Sequence, residues 1–468
     1  MKNLMMIGSA LLVLSSSAFA SQARLLALGM NETDNEGMYF IQDSRNVFLN
    51  PAYINLYPNQ AVLEWGNYGQ IADAKGGQGS MGPIATLNNN TSSPKAQGGV
   101  FKKYGDFVYG LYFGNESNTS SLLRVAGTSA LSAVNNLNGL TTPATADSKM
   151  LQTADNQVDF FFGGDNGLKW AVNPTVAFGK DDGRSGKDSA YAIRGGVIAS
   201  NWDAHLNLSL GSKSEARDTL TYTAASGGLN ALNGITVSQE FKGKLGFHAG
   251  GSYAIPVGRV FGYVKHYGWE QTDSASTAAY AAAAASVGGQ SGTVKGDFTS
   301  YYLGWGSDFN VNNGDKIFTS LTAKKTDINL KFSNKSEVRH LVIPLTIGYE
   351  AKATEWLTLR GSVLQNIYGN RDNKNINNYG ATGTRLNKVA SGLVSKIYGG
   401  TGKTTLANST AVNAGATLTF GNLSIDGLIG TTDAAGNAVT SAADSNPPKT
   451  GVLSLSNLET SVAMTYKF

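Results

Sequence analysis

Residues 461–468 read "SVAMTYKF" and end the chain. Val462, Met464, Tyr466 and Phe468 alternate there with Ser461, Ala463, Thr465 and Lys467. A period of two belongs to a strand with one apolar and one polar face, because successive side chains leave a pleated backbone on opposite sides. Chain ends usually fray into polar tails. An end that falls on an aromatic residue in mid-alternation predicts a terminal strand held by its neighbours.

The same period recurs upstream. In "KLGFHAGGSYAI", Leu245, Phe247, Ala249, Tyr253 and Ile255 oppose Lys244, His248 and Ser252. "RHLVIPLTIGYEAK" sets Leu341, Ile343, Leu345, Ile347 and Tyr349 against His340, Thr346, Glu350 and Lys352. "KWAVNPTVAFGK", "DFVYGLYFGNE" and "HLNLSLGSK" repeat the pattern around Val172, Tyr109 and Leu208. Helices do not space apolar residues in this way.

Composition agrees with an all-β chain outside the cytoplasm. The 468 residues include 57 glycines and no cysteine, with 10% aromatic and 15% charged residues. Soluble domains carry roughly 25% charged residues. Without cysteine there is neither a disulfide framework nor a thiolate metal site, and a net charge of +4 is too small to imply nucleic acid. Residues 1–20 follow the plan of a cleaved secretory signal peptide: Lys2, an apolar run from Leu4 to Leu14, then Ala18-Phe19-Ala20 before Ser21. No later apolar run reaches the ~20 residues of a membrane helix.

Strands are expected near 60–73, 96–104, 106–116, 156–164, 168–179, 189–200, 203–213 and 243–256, then near 259–270, 297–311, 315–331, 337–352, 356–368, 409–421, 422–432 and 455–468. Short turns such as "YGD", "SNWD", "PVG" and "KATE" alternate with long polar segments at 74–95, 117–155, 214–242, 271–296, 369–408 and 433–454. Short periplasmic turns with long extracellular loops are the organisation of a transmembrane antiparallel β-barrel. The expectation is about sixteen strands, with fourteen as the alternative, over residues 60–468. Residues 21–59 precede them as a periplasmic segment or plug. An even count brings Phe468 back beside the first strand near residue 60. Trp170, Trp202 and Trp356, with Tyr57, Tyr104 and Tyr466, fall at the short turns, where an aromatic girdle belongs.

Barrels of about 16–18 strands leave an aqueous channel. The polar phase would then line a lumen with Asp159, Lys169, Arg194, His205, Lys244, His248, Asp308, Lys324, His340, Glu350, Arg360, Glu459 and Lys467, charges that set ion preference. The leading expectation is a porin-like barrel giving passive diffusion of ions and small hydrophilic solutes. A plugged transporter of hydrophobic molecules and a structural ring-forming barrel are the alternatives.

Three resemblances add to this reading. Tyr466 and Phe468, ending an apolar alternation, resemble the assembly signal of outer-membrane barrels, which implies the bacterial outer membrane, its lipids and the barrel assembly machinery as partners. Asn50-Pro51-Ala52 after "NVFL" resembles the N-terminal motif of FadL-type transporters, implying a plug and an apolar ligand path; that family usually has fourteen strands. Residues 23–66, "ARLLALGMNETDNEGMYFIQDSRNVFLNPAYINLYPNQAVLEWG", with a long barrel ending in Phe468, resemble the PopA-like porins of predatory bacteria. That likeness implies a ring-shaped homo-oligomer able to enclose lipid.

No enzyme and no cofactor is expected. Gly77 to Gly82 match GxGxxG but sit in a polar stretch without a βαβ unit. "TGKTT" at 401–405 lacks the first glycine of a phosphate loop, since Ile397 stands in its place. The four histidines fall on separate strands without ligand spacing. "STAAYAAAAASVGG" at 276–289 reads as a short alanine-rich helix within a loop.

Overall fold

A computed structural model describes residues 21–30, 36–66, 95–115, 156–181, 186–219, 236–275, 292–311, 314–331, 335–374, 402–405, 410–431 and 458–468. Their eighteen strand segments form one sheet. In chain order these are β1 (Gln60–Gly66), β2 (Lys95–Tyr104), β3 (Phe107–Phe113), β4 (Asn156–Asp165), β5 (Lys169–Asp181), β6 (Gly186–Ile198), β7 (Trp202–Thr219), β8 (Thr236–Gly243) and β9 (Gly246–Ile255). They continue as β10 (Gly258–Ala275), β11 (Gly292–Asn310), β12 (Lys316–Lys331), β13 (Lys335–Lys352), β14 (Leu357–Lys374), β15 (Gly402–Thr405), β16 (Thr410–Phe420), β17 (Leu423–Thr431) and β18 (Leu458–Lys467).

Two staves are each built from two segments. β8 and β9 both lie between β7 and β10, and β15 and β16 both pair with β14. Counted by stave, the sheet is a sixteen-stranded antiparallel barrel. It closes because β1 pairs with β2 on one side and β18 on the other. Gln60 pairs with Lys467, and the Phe468 amide donates to the Asn59 carbonyl at 3.0 Å. Closure satisfies the two edges an open sheet would expose to lipid.

The outer face carries the apolar phase. Leu206, Leu303, Leu321, Ile347, Leu359, Val363 and Tyr466 are all exposed. On β13 this belt runs from Leu341 to Tyr349, about nine residues, close to the ~9–11 of a tilted membrane-spanning strand. Above it the outer face turns charged at Arg339, Glu337 and Lys335, which pair among themselves. Trp202, Trp356 and Tyr104 are exposed beside the short turns. Tyr57 corrects the girdle expectation, because it packs inward against the cluster that contains Phe48 and Ile54.

Strands outlast the expected boundaries at the long-loop end: β7 reaches Thr219, β10 reaches Ala275 and β14 reaches Lys374. Beyond the belt both faces are polar, so the apolar period vanishes while the backbone ladder continues. "GKTT" lies in β15, paired with Asn370–Asn373, and is therefore no phosphate loop. The GxGxxG stretch, the alanine-rich stretch and residues 1–20 lie outside the described residues. Leu345→Arg, which places a cation in the belt, is expected to lower barrel stability by about 2–4 kcal/mol. Denaturant titration in lipid vesicles measures this, and an unchanged midpoint would contradict the inside–outside assignment.

Candidate functional site

Residues 21–30 and 36–59 lie inside the barrel at the short-turn end. Local sequence explains their shape. Ser21 caps the helix Gln22–Ala27 by accepting from the Arg24 amide at 3.1 Å. Gly29, at φ +94°, ends that helix in the left-handed region, and a Cβ there would run into Thr346. Asp43 caps the turn Ser44–Phe48, accepting from the Arg45 amide at 2.8 Å. Asn50 caps Pro51–Asn55, with Pro51 at the first helical position, where its missing N–H costs nothing.

The Asn50-Pro51-Ala52 motif thus acts as a cap and also as an anchor. Asn50 is fully buried; its Oδ1 accepts from the Ala52 amide, and its Nδ2 donates to the Val197 and Ala204 carbonyls of the wall. Gly196 leaves room for that amide, since a Cβ there would collide with Asn50 Oδ1. Elsewhere Asn55 donates to the Trp170 carbonyl at 3.0 Å, Asn207 to the Leu49 carbonyl at 3.2 Å, and Asn413 to the Leu26 carbonyl at 2.9 Å. One segment therefore holds β5, β6, β7 and β16 together. Leu25, Leu28, Ile41, Val47, Phe48 and Ile54 are buried.

Three polar clusters seat the segment. In the first, Arg24 bonds Asp43 at 2.9 Å and both Glu350 oxygens at 3.0 and 3.4 Å. Arg360 continues the chain from Glu350 (3.0 Å) to Asp426 (3.0 Å), which also accepts from Thr417 and from Ser21 Oγ. Arg45 reaches Glu64 (3.2 Å), Gln97, Tyr112 and Asn115. Burial pushes the Asp43 carboxyl up to about 7, against the lowering pull of Arg24 and the Arg45 amide, while Asp426 adds to the rise. The Arg24 guanidinium, which burial alone would weaken, is held above its ordinary value by Glu350 and Asp43. Burial likewise raises the Tyr53 and Tyr57 hydroxyls.

In the second cluster Arg194 donates to Asp159 (2.7 Å), Asn173 (2.5 Å) and Thr175 (2.9 Å), with its guanidinium 5.9 Å from the Phe48 ring. In the third, Glu36 lies 3.2 Å from His248 Nδ1 and 3.3 Å from Lys265 Nζ, while His248 Nε2 stands 3.5 Å from His205 Nε2. Tyr39 stacks on His205 and on Phe261.

Six of the thirteen lumen candidates fall in these clusters: Asp159, Arg194, His205, His248, Glu350 and Arg360. Lys324 and His340 share the inward phase nearer the long loops. Lys169 pairs with Asp165 across a short turn, and Asp308 with Lys316, both at the rim. Lys467 occupies the last ladder position beside Gln60, and the Glu459 side chain lies outside the described residues. Lys244 is a correction. Between the pairs His266–Phe247 and Trp269–Gly243, the β8–β9 stave advances one residue more than β10. This bulge reverses the phase, so Lys244 meets Glu270 on the outer face at 3.4 Å.

Sequence reasoning missed Arg24, Asp43, Arg45, Glu64 and Asp426. Glu64 in "AVLEWG" and Asp426 in "NLSIDGLIG" were findable as single charges in the polar phase of short strands. The other three lie in non-periodic chain. It also missed an apolar inner wall near the long-loop end, where Phe241, Trp269, Phe298, Ile328, Leu330 and Val338 are buried. Trp269 lies over Gly296, and its Nε1 has no hydrogen-bond partner among the described residues.

Comparison with known proteins finds no matching family model and no matching curated protein. Among solved structures the chain is similar to a Pseudomonas aeruginosa FadL homologue (12% identity, 96% of this chain and 98% of that one, TM-score 0.39). It is similar to the Pseudomonas putida toluene transporter TodX (12%, 97% and 100%, 0.34) and to a loop L8 deletion mutant of OmpT, an outer membrane protein of Vibrio cholerae (10%, 88% and 97%, 0.29). Identities and scores of this size leave function to be read from the chain's own residues.

Arg24→Ala leaves Asp43 and Glu350 buried with a partner removed, a change that typically costs about 3–5 kcal/mol. Trypsin is expected to cut after Arg45 faster in this variant than in the parent barrel. Arg339→Ala, on the exposed outer face, should leave that rate unchanged; equal rates in both variants would contradict the seating role of Arg24.

Proposed function

We propose that the protein is an outer-membrane channel closed at its short-turn end by residues 21–59, admitting small, largely apolar molecules rather than serving as an open diffusion pore. The observation that carries this reading is the seating of one segment against opposite walls at once, through Glu350 and Asp426 on one side and Arg194, Val197 and Ala204 on others. The hydrated lumen expected from the polar phase does not fit charges already bonded to each other and to that segment. An inward polar residue reads the same in sequence whether it faces water or a partner.

The apolar wall around Trp269 favours the choice of cargo. Apolar lining with few placed polar groups is how proteins hold small apolar ligands.

In planar bilayers the parent protein is expected to give no steady conductance, whereas Arg24→Ala combined with Arg45→Ala should open large ohmic steps. Stable steps of sixteen-strand pore size from the parent would overturn the closed-channel reading. Calorimetric titration with benzaldehyde should show saturable binding, and the absence of any binding heat would contradict the choice of an apolar cargo.

A further inference from the structure

The first cluster carries a charge imbalance. Glu64 on β1 and Asp426 on β17 both pair in register with Ala463 on β18, so the three occupy one inward row. Strand spacing of about 4.8 Å sets the two carboxylate-bearing positions about 10 Å apart across a small side chain. Ser21 bridges that gap. Its hydroxyl donates to Asp426 at 2.9 Å, and the next amide, of Gln22, donates to Glu64 at 2.7 Å. Ser21 is 1% exposed.

Around this row, among the described residues, the connected network holds four carboxylates, Asp43, Glu64, Glu350 and Asp426, but three guanidiniums, Arg24, Arg45 and Arg360. The other buried pairs, Asp159 with Arg194 and Asp203 with Arg259, are balanced. Burial is the main cause of the high Asp43 value, and the negative charge of Asp426 adds to it. Two further groups point to a missing donor. The Ser461 and Thr465 hydroxyls flank Ala463 on the same face of β18, are 3% and 0% exposed, and have no hydrogen-bond partner among the described residues.

We propose that the α-ammonium group of Ser21, released when a leader peptidase cleaves the Ala20–Ser21 bond, is the missing cation, bound in the inward row between Asp426 and Glu64. Water adds across the amide, Ala20 leaves as a carboxylate, and the Ser21 nitrogen takes up a proton at neutral pH. Before cleavage that nitrogen is a neutral amide, and the network is one positive charge short. Removal of the leader therefore completes the lock that seats the inner segment. The inference rests on the cleavage site expected from the sequence and is independent of what the channel carries.

The test uses mature protein extracted from membranes in mild detergent without boiling. Mass spectrometry gives its first residue, and acetylation with an N-hydroxysuccinimide ester near pH 7 gives the reactivity of the α-amine. The chain is expected to begin at Ser21. Its amine should react about tenfold or more slowly when folded than in urea, the loss of free amine that a rise of one pKa unit causes. A second form, with Gly-Ser inserted between Ala20 and Ser21, moves the charge away from Asp426. It should fold as a heat-modifiable barrel in which trypsin cuts faster after Arg45. A mature chain beginning elsewhere, equal amine reactivity in the folded and unfolded states, or unchanged cleavage in the inserted form would each overturn the proposal.

Discussion

Charged groups inside a membrane barrel must find partners, because an unpaired ion in a low-dielectric interior costs several kcal/mol. The Arg24–Glu350–Arg360–Asp426 chain is this protein's answer. Its members come from the inner segment and from β13, β14 and β17. Breaking any link leaves a buried charge stranded, so the segment and the wall are stable together. The Asn50 anchor, the Arg45 fan and the Glu36 bridge repeat the same arrangement at other points of the circumference.

The outside obeys a simpler rule. Alternation places aliphatic and aromatic side chains on the outer face of the staves, and closure through β1 and β18 leaves no free edge in that belt. Nothing about the outer face requires a particular lumen. The same belt would serve an empty pore or a filled one, and the inner segment alone separates the two.

This explains what the sequence could reveal. The sixteen staves were legible because lipid imposes period two on one face, and Phe468 was legible as a closing residue because its strand keeps that period to the end. Asp159, Arg194, His205, His248, Glu350 and Arg360 were legible as inward residues, though their partners were not. Arg24 and Asp43 lie 19 residues apart in chain with no period, and they meet Glu350 only through the fold. Lys244 failed because one extra residue at the β8–β9 join reverses the phase, and no local signal marks that bulge. The buried wall around Trp269 and Phe298 was hidden for a related reason. Once both faces of a strand leave the belt, alternation no longer says which side is inside.

The central claim is that the inner segment sits against the wall in the membrane-embedded protein. A pair of cysteines tests it directly in a chain that has none of its own. The positions are Ala27 on the segment and Gly415 on β16, where a Cβ would lie 2.8 Å from that of Ala27. Close approach of this kind allows a disulfide after a small shift. Mild oxidation of intact cells carrying Ala27→Cys with Gly415→Cys should join the two positions in most molecules. Two free thiols, both open to a membrane-impermeant maleimide, would contradict the account.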